Sequence, residues 1–511
     1  MKMLAKVFSA TLMGIDAIPV VVEIDIAGGL PAFDMVGLPD AAVKESKERV
    51  RAAIKNSQFD FPSKRITINL APADLKKEGV IFDLPIAIGI LAASSQIPAH
   101  DLKSFLIGGE LALDGLLRPI KGVLSMAISA REGGKEAVLV PYENMGEAAV
   151  VSGVDVYGFK SLNDVVSFIR GEADISPHRV DPEKYMDEEP VYDCDFRDVK
   201  GQDFAKRALE VAAAGGHNLL MIGPPGAGKT LLAKSLPGIL PPLSLNEAIQ
   251  TTRIHSALGE LPSGVSLLTK RPFRAPHHTV SDAGLIGGGN IPRPGEVSLS
   301  HNGVLFLDEM PEFHRDVLEA LRGPLEDGVV TVSRATGSFT FPARFMLVGA
   351  MNPCPCGYLT SPQKECICSP SQIHRYLNKI SGPLLDRIDI HVELPALSYE
   401  DLVGYANESS LQVRERVIRA REIQLARFDK DGIHCNAQMF GDLLKEYCRL
   451  DDGCSRVLRE AMDRLGLSAR AYDRVLKVAR TIADLDGKME IAKAHISEAI
   501  QYRSLDRDLW M

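Results

Sequence analysis

Asn218-Leu-Leu-Met-Ile-Gly-Pro-Pro-Gly-Ala-Gly-Lys-Thr230 is the stretch that decides the fold. Its first five residues form an apolar run of β-strand length. They lead without a break into Gly223, Pro224, Pro225, Gly226, Ala227, Gly228, Lys229 and Thr230, and a helical pattern follows over residues 231–236. Strand, glycine-rich loop and helix, in that order, make a phosphate cradle. The glycines let backbone amides wrap an anion without side-chain clash, and the helix start adds the positive end of its dipole. Lys229 is placed to reach the β- and γ-phosphates, and Thr230 to ligate magnesium. ATP and Mg2+ are therefore the expected cofactors.

Downstream, Gly303-Val-Leu-Phe-Leu-Asp-Glu309 reads as a buried strand ending in two acids, Asp308 to hold magnesium and Glu309 to polarise the attacking water. The next strand, Arg344-Phe-Met-Leu-Val-Gly-Ala350, runs on to Asn352, a neutral amide suited to orienting water against the γ-phosphate. With these parts the middle of the chain is similar to AAA+ ATPases, and Asn352 falls at their sensor-1 position. In Gly382-Pro-Leu-Leu-Asp-Arg-Ile-Asp389, Arg387 resembles the arginine finger that one subunit inserts into its neighbour's site. The same spacing also allows a plain ion pair with Asp386 or Asp389. Arg470, at the start of a helix after Ser468, resembles sensor 2, and reads equally as a surface helix cation.

Outside that core, 511 residues predict two to four domains. An apolar fraction of 45% with 24% charged residues is ordinary for a globular chain. The first 23 residues intersperse Lys2, Lys6, Asp16 and Glu23 among apolar positions, which predicts neither a signal peptide nor a membrane span and places the protein in the cytoplasm. A net charge of −9 does not announce a nucleic-acid binder, but local cationic clusters matter more than the sum.

The predicted fold class is α/β with a helical C-terminus. Residues 1–170 alternate strand-like runs (18–26, 65–70, 136–141) with helical patterns (39–57, 82–94, 121–132). Residues 171–198, rich in Pro, Asp and Glu, read as an exposed linker. Residues 199–394 carry every nucleotide motif and predict a doubly wound core. Residues 395–511 show 3.6-residue periodicity, as at Ala469, Tyr472, Val475, Leu476, Ala479 and Ile482, and predict a helical lid.

Several longer boxes narrow the resemblance. Phe273-Arg-Ala-Pro-His-His-Thr279, Leu285-Ile-Gly-Gly-Gly289, Pro292-Arg-Pro-Gly-Glu-Val-Ser-Leu299, the Leu-Phe-Leu-Asp-Glu box and Asn352-Pro-Cys-Pro-Cys-Gly357 resemble the ComM/YifB family within the magnesium-chelatase-like AAA+ group, over nearly the whole chain. The resemblance implies a homo-hexameric helicase ring acting on single-stranded and branched DNA. Its expected task is branch migration in homologous recombination and natural transformation, beside recombination proteins. It also implies an N-terminal Lon-protease-like domain of the ribosomal S5 domain 2-like kind. Residues 110–124 are similar to the part of Lon that supplies the catalytic lysine, and Lys76-Lys-Glu-Gly-Val-Ile-Phe-Asp83 to the part that supplies the serine. Ile81 stands at the serine position and Leu124 at the lysine position, so no peptidase activity is expected, and ring assembly or DNA binding is expected instead.

Residues 328–341 alternate as a hairpin around Ala335-Thr-Gly337 and resemble a pre-sensor-1 pore hairpin with Arg334 near its tip. Residues 270–293, with Arg274, His277 and His278, resemble the helix-2 insertion of the same clade. Such cations bind phosphates without reading sequence, or form an ordinary solvated face. Cys354-Pro-Cys356 and Cys366-Ile-Cys368 have the composition of a four-thiolate structural zinc knuckle, with free or redox-active thiols as the other reading. Two other functions share parts of this pattern, a metal-chelatase motor subunit and a protein remodeller. The chelatase reading leaves the Lon-like domain and the cysteine quartet without a role, and the polar, cationic hairpin is unlike an unfoldase's aromatic pore loop.

Overall fold

The structure is a computed structural model that describes residues 4–187, 190–289, 292–334, 337–359, 364–398, 408–503 and 505. It is α/β throughout its first two thirds and helical at its C-terminus.

The N-terminal part begins with a four-stranded sheet in the order Leu4–Met13, Asp16–Ala27, Arg65–Ala71, Ala32–Val36. Val20, Val22, Ile24 and Ile26 alternate along the second strand and are all buried. That is the period-2 pattern of a sheet with one covered face. The cover is the helix Asp83–Ala93, in which every residue is buried. Its Gly89 lies so close to the sheet that a Cβ would sit 2.1 Å from Ile24 Cδ1. A second, parallel sheet (Phe105–Ile107, Ala137–Pro141, Asp155–Phe159) packs with the helix Val123–Glu132. Ile81 and Leu124 both pack into the apolar cluster around that helix, so neither position offers a nucleophile or a base.

The expected exposed linker is more tightly held than its composition suggests. His178 N donates to Val156 O at 2.8 Å, and Val180, Tyr185 and Met186 pack against the N-terminal cluster. At the other end Phe196 and Val199 are buried in the core of the middle segment, with Phe196 N donating to Ser410 Oγ at 2.8 Å. Scattered apolar residues among prolines and acids gave no period to read, yet those near each end of the stretch find a hydrophobic cluster to join.

The central core is a five-stranded, all-parallel sheet in the order Phe273–Arg274, Val304–Leu307, Met346–Met351, Leu219–Ile222, Ile390–Glu393. The inner strands are buried on both faces, which explains their unbroken apolar runs. Because the strands are parallel, the loops after Ile222, Leu307 and Met351 leave the sheet at one edge, where open α/β sheets hold their ligands. The lid helices Ser410–Arg427 and Ala469–Leu485 pack on the helix Asp203–Gly215 in one continuous core.

N-terminal part and core are joined by a buried polar weld. Glu147 accepts from Leu124 N at 2.8 Å and from Ser256 Oγ, on the central-core helix Leu245–Leu258. Gly122 N donates to Ser256 O at 3.1 Å, and Lys121 Nζ to Leu258 O at 3.0 Å. The turn between the first two strands reaches further, for a Cβ on Gly14 would lie 2.8 Å from Phe341 Cε1 in the hairpin.

Candidate nucleotide site

The loop after Leu219–Ile222 needs glycine where the chain turns left-handed, at Gly226 (φ +80°) and Gly228 (φ +87°). Gly228 ends the loop and the helix Lys229–Ser235 starts directly behind it, two residues earlier than the periodicity predicts. A cavity of about 390 Å³ lies over this helix start, lined by the loop, Thr230, Asp308, Glu309 and Asn352. Three neighbouring strands thus deliver the expected loop, acids and amide to one place.

Lys229 is buried, and its Nζ donates to Gly223 O (2.7 Å), Pro224 O (2.9 Å) and Asn352 Oδ1 (3.1 Å). Burial lowers its pKa to about 8, against the opposing pull of Asp308 and Glu309. Thr230 Oγ1 donates to Asp308 Oδ2 at 2.8 Å, bringing together the two side chains expected to hold magnesium. Hydroxyl and carboxylate oxygens are the hard donors that ion takes. Glu309 is held in a left-handed turn (φ +50°), with its N–H on Asp308 Oδ1 at 2.9 Å. Non-glycine residues in this region are strained and cluster at functional sites.

Arg387 and Arg470 do not line this cavity. Arg387 pairs with Glu326, not with Asp386 or Asp389, and donates to Pro383 O at 2.5 Å, while its buried Nε has no partner. Arg470 is exposed and pairs with Asp386 at 3.0 Å. Arg470 thus engages the acid directly before Arg387 in the chain, and neither arginine lines the cavity of its own P-loop.

The hairpin is present, Val329–Arg334 pairing with Gly337–Pro342. Its expected tip, Ala335 and Thr336, lies outside the described residues, as do residues 290–291 of the helix-2 segment. Arg334 is exposed, and its Nη2 is 3.6 Å from where a Cβ on Gly288 would be, so the two expected DNA elements lie side by side. His277 is exposed and its ring lies 4.1 Å from that of His278. Arg274, expected at the DNA face, makes two bonds to Glu296 (2.6 and 2.8 Å) and one to Glu260 (3.2 Å).

The four cysteines converge, with all Sγ atoms within 4.8 Å of one another. Sequence reasoning missed three residues that frame the nucleotide loop. Gln202 Nε2 donates to Ala227 O (3.2 Å) and Pro395 O (2.8 Å). The Tyr376 hydroxyl lies beside the Asn352 backbone N–H, and Gly357 packs on Pro225. Only Gly357, inside a quoted box, carried any local signal.

Three models of the magnesium-chelatase family match the chain: "Subunit ChlI of Mg-chelatase" over residues 22–144, "Magnesium chelatase, subunit ChlI" over 195–402, and "Magnesium chelatase, subunit ChlI C-terminal" over 407–503. Fold and site thus define a magnesium-chelatase-like AAA+ ATPase. Within that class the relatives are specific. "Competence protein ComM" of Haemophilus influenzae is 48% identical over 507 residues, 99% of this chain and 98% of its own. YifB of Salmonella typhimurium is 46% identical over the same shares. The chain belongs to the ComM/YifB family. A partial match, 30% over 161 residues, is to "Lon protease 2" of Bacillus subtilis, covering 29% of this chain and 28% of that one.

Proposed function

We propose that this protein is an ATP-driven DNA helicase that works in the cytoplasm as a homo-hexamer and promotes branch migration during homologous recombination and natural transformation. The observation that carries the motor is the division of labour among its charged groups. Lys229, Thr230, Asp308, Glu309 and Asn352 line one cavity, whereas Arg387 and Arg470 lie outside its lining, paired with Glu326 and Asp386. A site that lacks its transition-state cations within one chain is completed by the next copy.

In this reading the backbone amides of residues 226–230 and the Lys229 ammonium bind the phosphates. Glu309 orients the attacking water, and Asn352 fixes the lysine that it already contacts. Magnesium would be held by Thr230 and Asp308, where it neutralises charge on the phosphate oxygens. The hairpin with Arg334, next to the Gly287–Gly288 strand and the His277–His278 pair, is the proposed DNA contact. The near-full-length likeness to a protein named for competence supports DNA as the track.

The test is ATP hydrolysis and three-strand branch migration with wild type, Lys229→Ala and Glu309→Gln. Both variants are expected to lose turnover by about 100-fold or more. Arg334→Glu is expected to weaken DNA binding and reduce the salt slope by about one counterion. ATP hydrolysis that ignores DNA and rises with unfolded polypeptide would replace this reading with a protein remodeller.

A further inference from the structure

We propose that Cys354, Cys356, Cys366 and Cys368 bind one zinc ion tetrahedrally, and that this knuckle holds the sensor amide Asn352 and the P-loop residue Pro225 in register for hydrolysis. The metal half of the proposal stands on the cysteines alone. The coupling half rests on the ATPase reading given above.

Tetrahedral zinc with Zn–S bonds of about 2.3 Å places its sulphurs about 3.8 Å apart. The observed separations are 3.3 Å (Cys354–Cys356), 3.6 Å (Cys354–Cys366) and 3.6 Å (Cys356–Cys366), and Cys368 closes the group within 4.8 Å. Four sulphurs drawn to a common centre make a mononuclear site, not two bonded pairs, and a set of four thiolates selects zinc among the common hard and borderline ions. Backbone amides lie close to the sulphurs from both arms, those of Tyr358 and Ile367 near Cys356, that of Leu359 near Cys354 and that of Cys368 near Cys366. Such N–H donors disperse the negative charge that four thiolates leave on a zinc centre.

The knuckle is built onto the nucleotide site. Asn352, two residues before Cys354, accepts from Lys229 Nζ through its side chain, and its backbone N–H lies beside the Tyr376 hydroxyl. Gly357, one residue past Cys356, turns left-handed (φ +83°), and a Cβ there would sit 2.6 Å from Pro225 Cδ. On the far side, Ser369 directly follows Cys368 and caps the helix Pro370–Leu377, which carries Tyr376. A metal at the sulphurs therefore ties both flanks of Asn352 to one rigid centre.

The experiment uses the full chain, purified under reducing conditions. Metal analysis is expected to give one zinc per chain, and cobalt substitution to give the visible bands of a tetrahedral thiolate site. Absence of stoichiometric metal, or iron in its place, overturns the zinc assignment. Cys366→Ser/Cys368→Ser is expected to lose the zinc and lower kcat about tenfold while KM for ATP changes little, because Asn352 acts on the transition state. Cys368→His, which keeps a ligand, is expected to restore both zinc and kcat. As a control for folding, zinc withdrawn from wild type with a thiol-specific mercurial and returned after thiol addition should lower and restore kcat in step. Zinc that leaves with kcat unchanged overturns the coupling alone. Zinc bound by a chain that hydrolyses no ATP counts against the proposed function and leaves the metal site standing.

Discussion

At the scale of single residues, the lysine of the phosphate loop makes a pH-dependent prediction with a definite sign. Burial draws the Lys229 pKa down to about 8, so in nucleotide-free protein the side chain sheds its proton as pH rises through that value. Phosphates need the charged form, so binding ATP above pH 8 must take a proton up. Calorimetry in buffers of differing ionisation enthalpy should detect that uptake, and affinity should fall as pH rises above 8. Lys229→Ala should show no uptake. This residue, the acids after Leu307 and Asn352 were legible in the sequence because each sits at a strand end within a few residues of its motif. Arg387 was only half legible. Its partner Glu326 is 61 positions away, and the unmet Nε is a fact of packing that no local pattern encodes. The ion pairs of Arg274 were hidden for the same reason, since Glu260 and Glu296 approach it only in the folded chain.

Among the elements, strands and helices with clean periods were readable to within a few residues: the 18–26 run became Asp16–Ala27, and the 82–94 pattern became Asp83–Ala93. What the sequence hid was how elements brace one another. The hairpin proposed to touch DNA rests its Phe341 against Gly14, where φ is +67°. Gly14→Val would force a β-branched residue into the left-handed region and against an aromatic ring, costing about 2 kcal/mol or more. The expected outcome is a lower melting temperature and a loss of DNA-stimulated ATP hydrolysis larger than any loss of the basal rate. Equal losses of both would show that the brace does not serve the hairpin.

For the whole molecule, the separation of Arg387 from its own P-loop predicts complementation. Lys229→Ala subunits have a damaged cradle and an intact arginine, and Arg387→Ala subunits the reverse. Each alone should hydrolyse ATP slowly. Mixed, they should recover a measurable part of wild-type turnover, because some junctions then pair an intact cradle with an intact arginine. No recovery on mixing, with assembly verified by light scattering, would assign Arg387 to its Glu326 pair alone. The weld at Glu147 and Ser256 has a consequence of its own. The N-terminal sheets are not pendants on a string but a flange pinned to Leu245–Leu258, the α-helix after the one that the phosphate loop opens. In the proposed ring, any tilt of that helix on hydrolysis would carry the flange with it, so that neighbouring flanges would open and narrow like an iris.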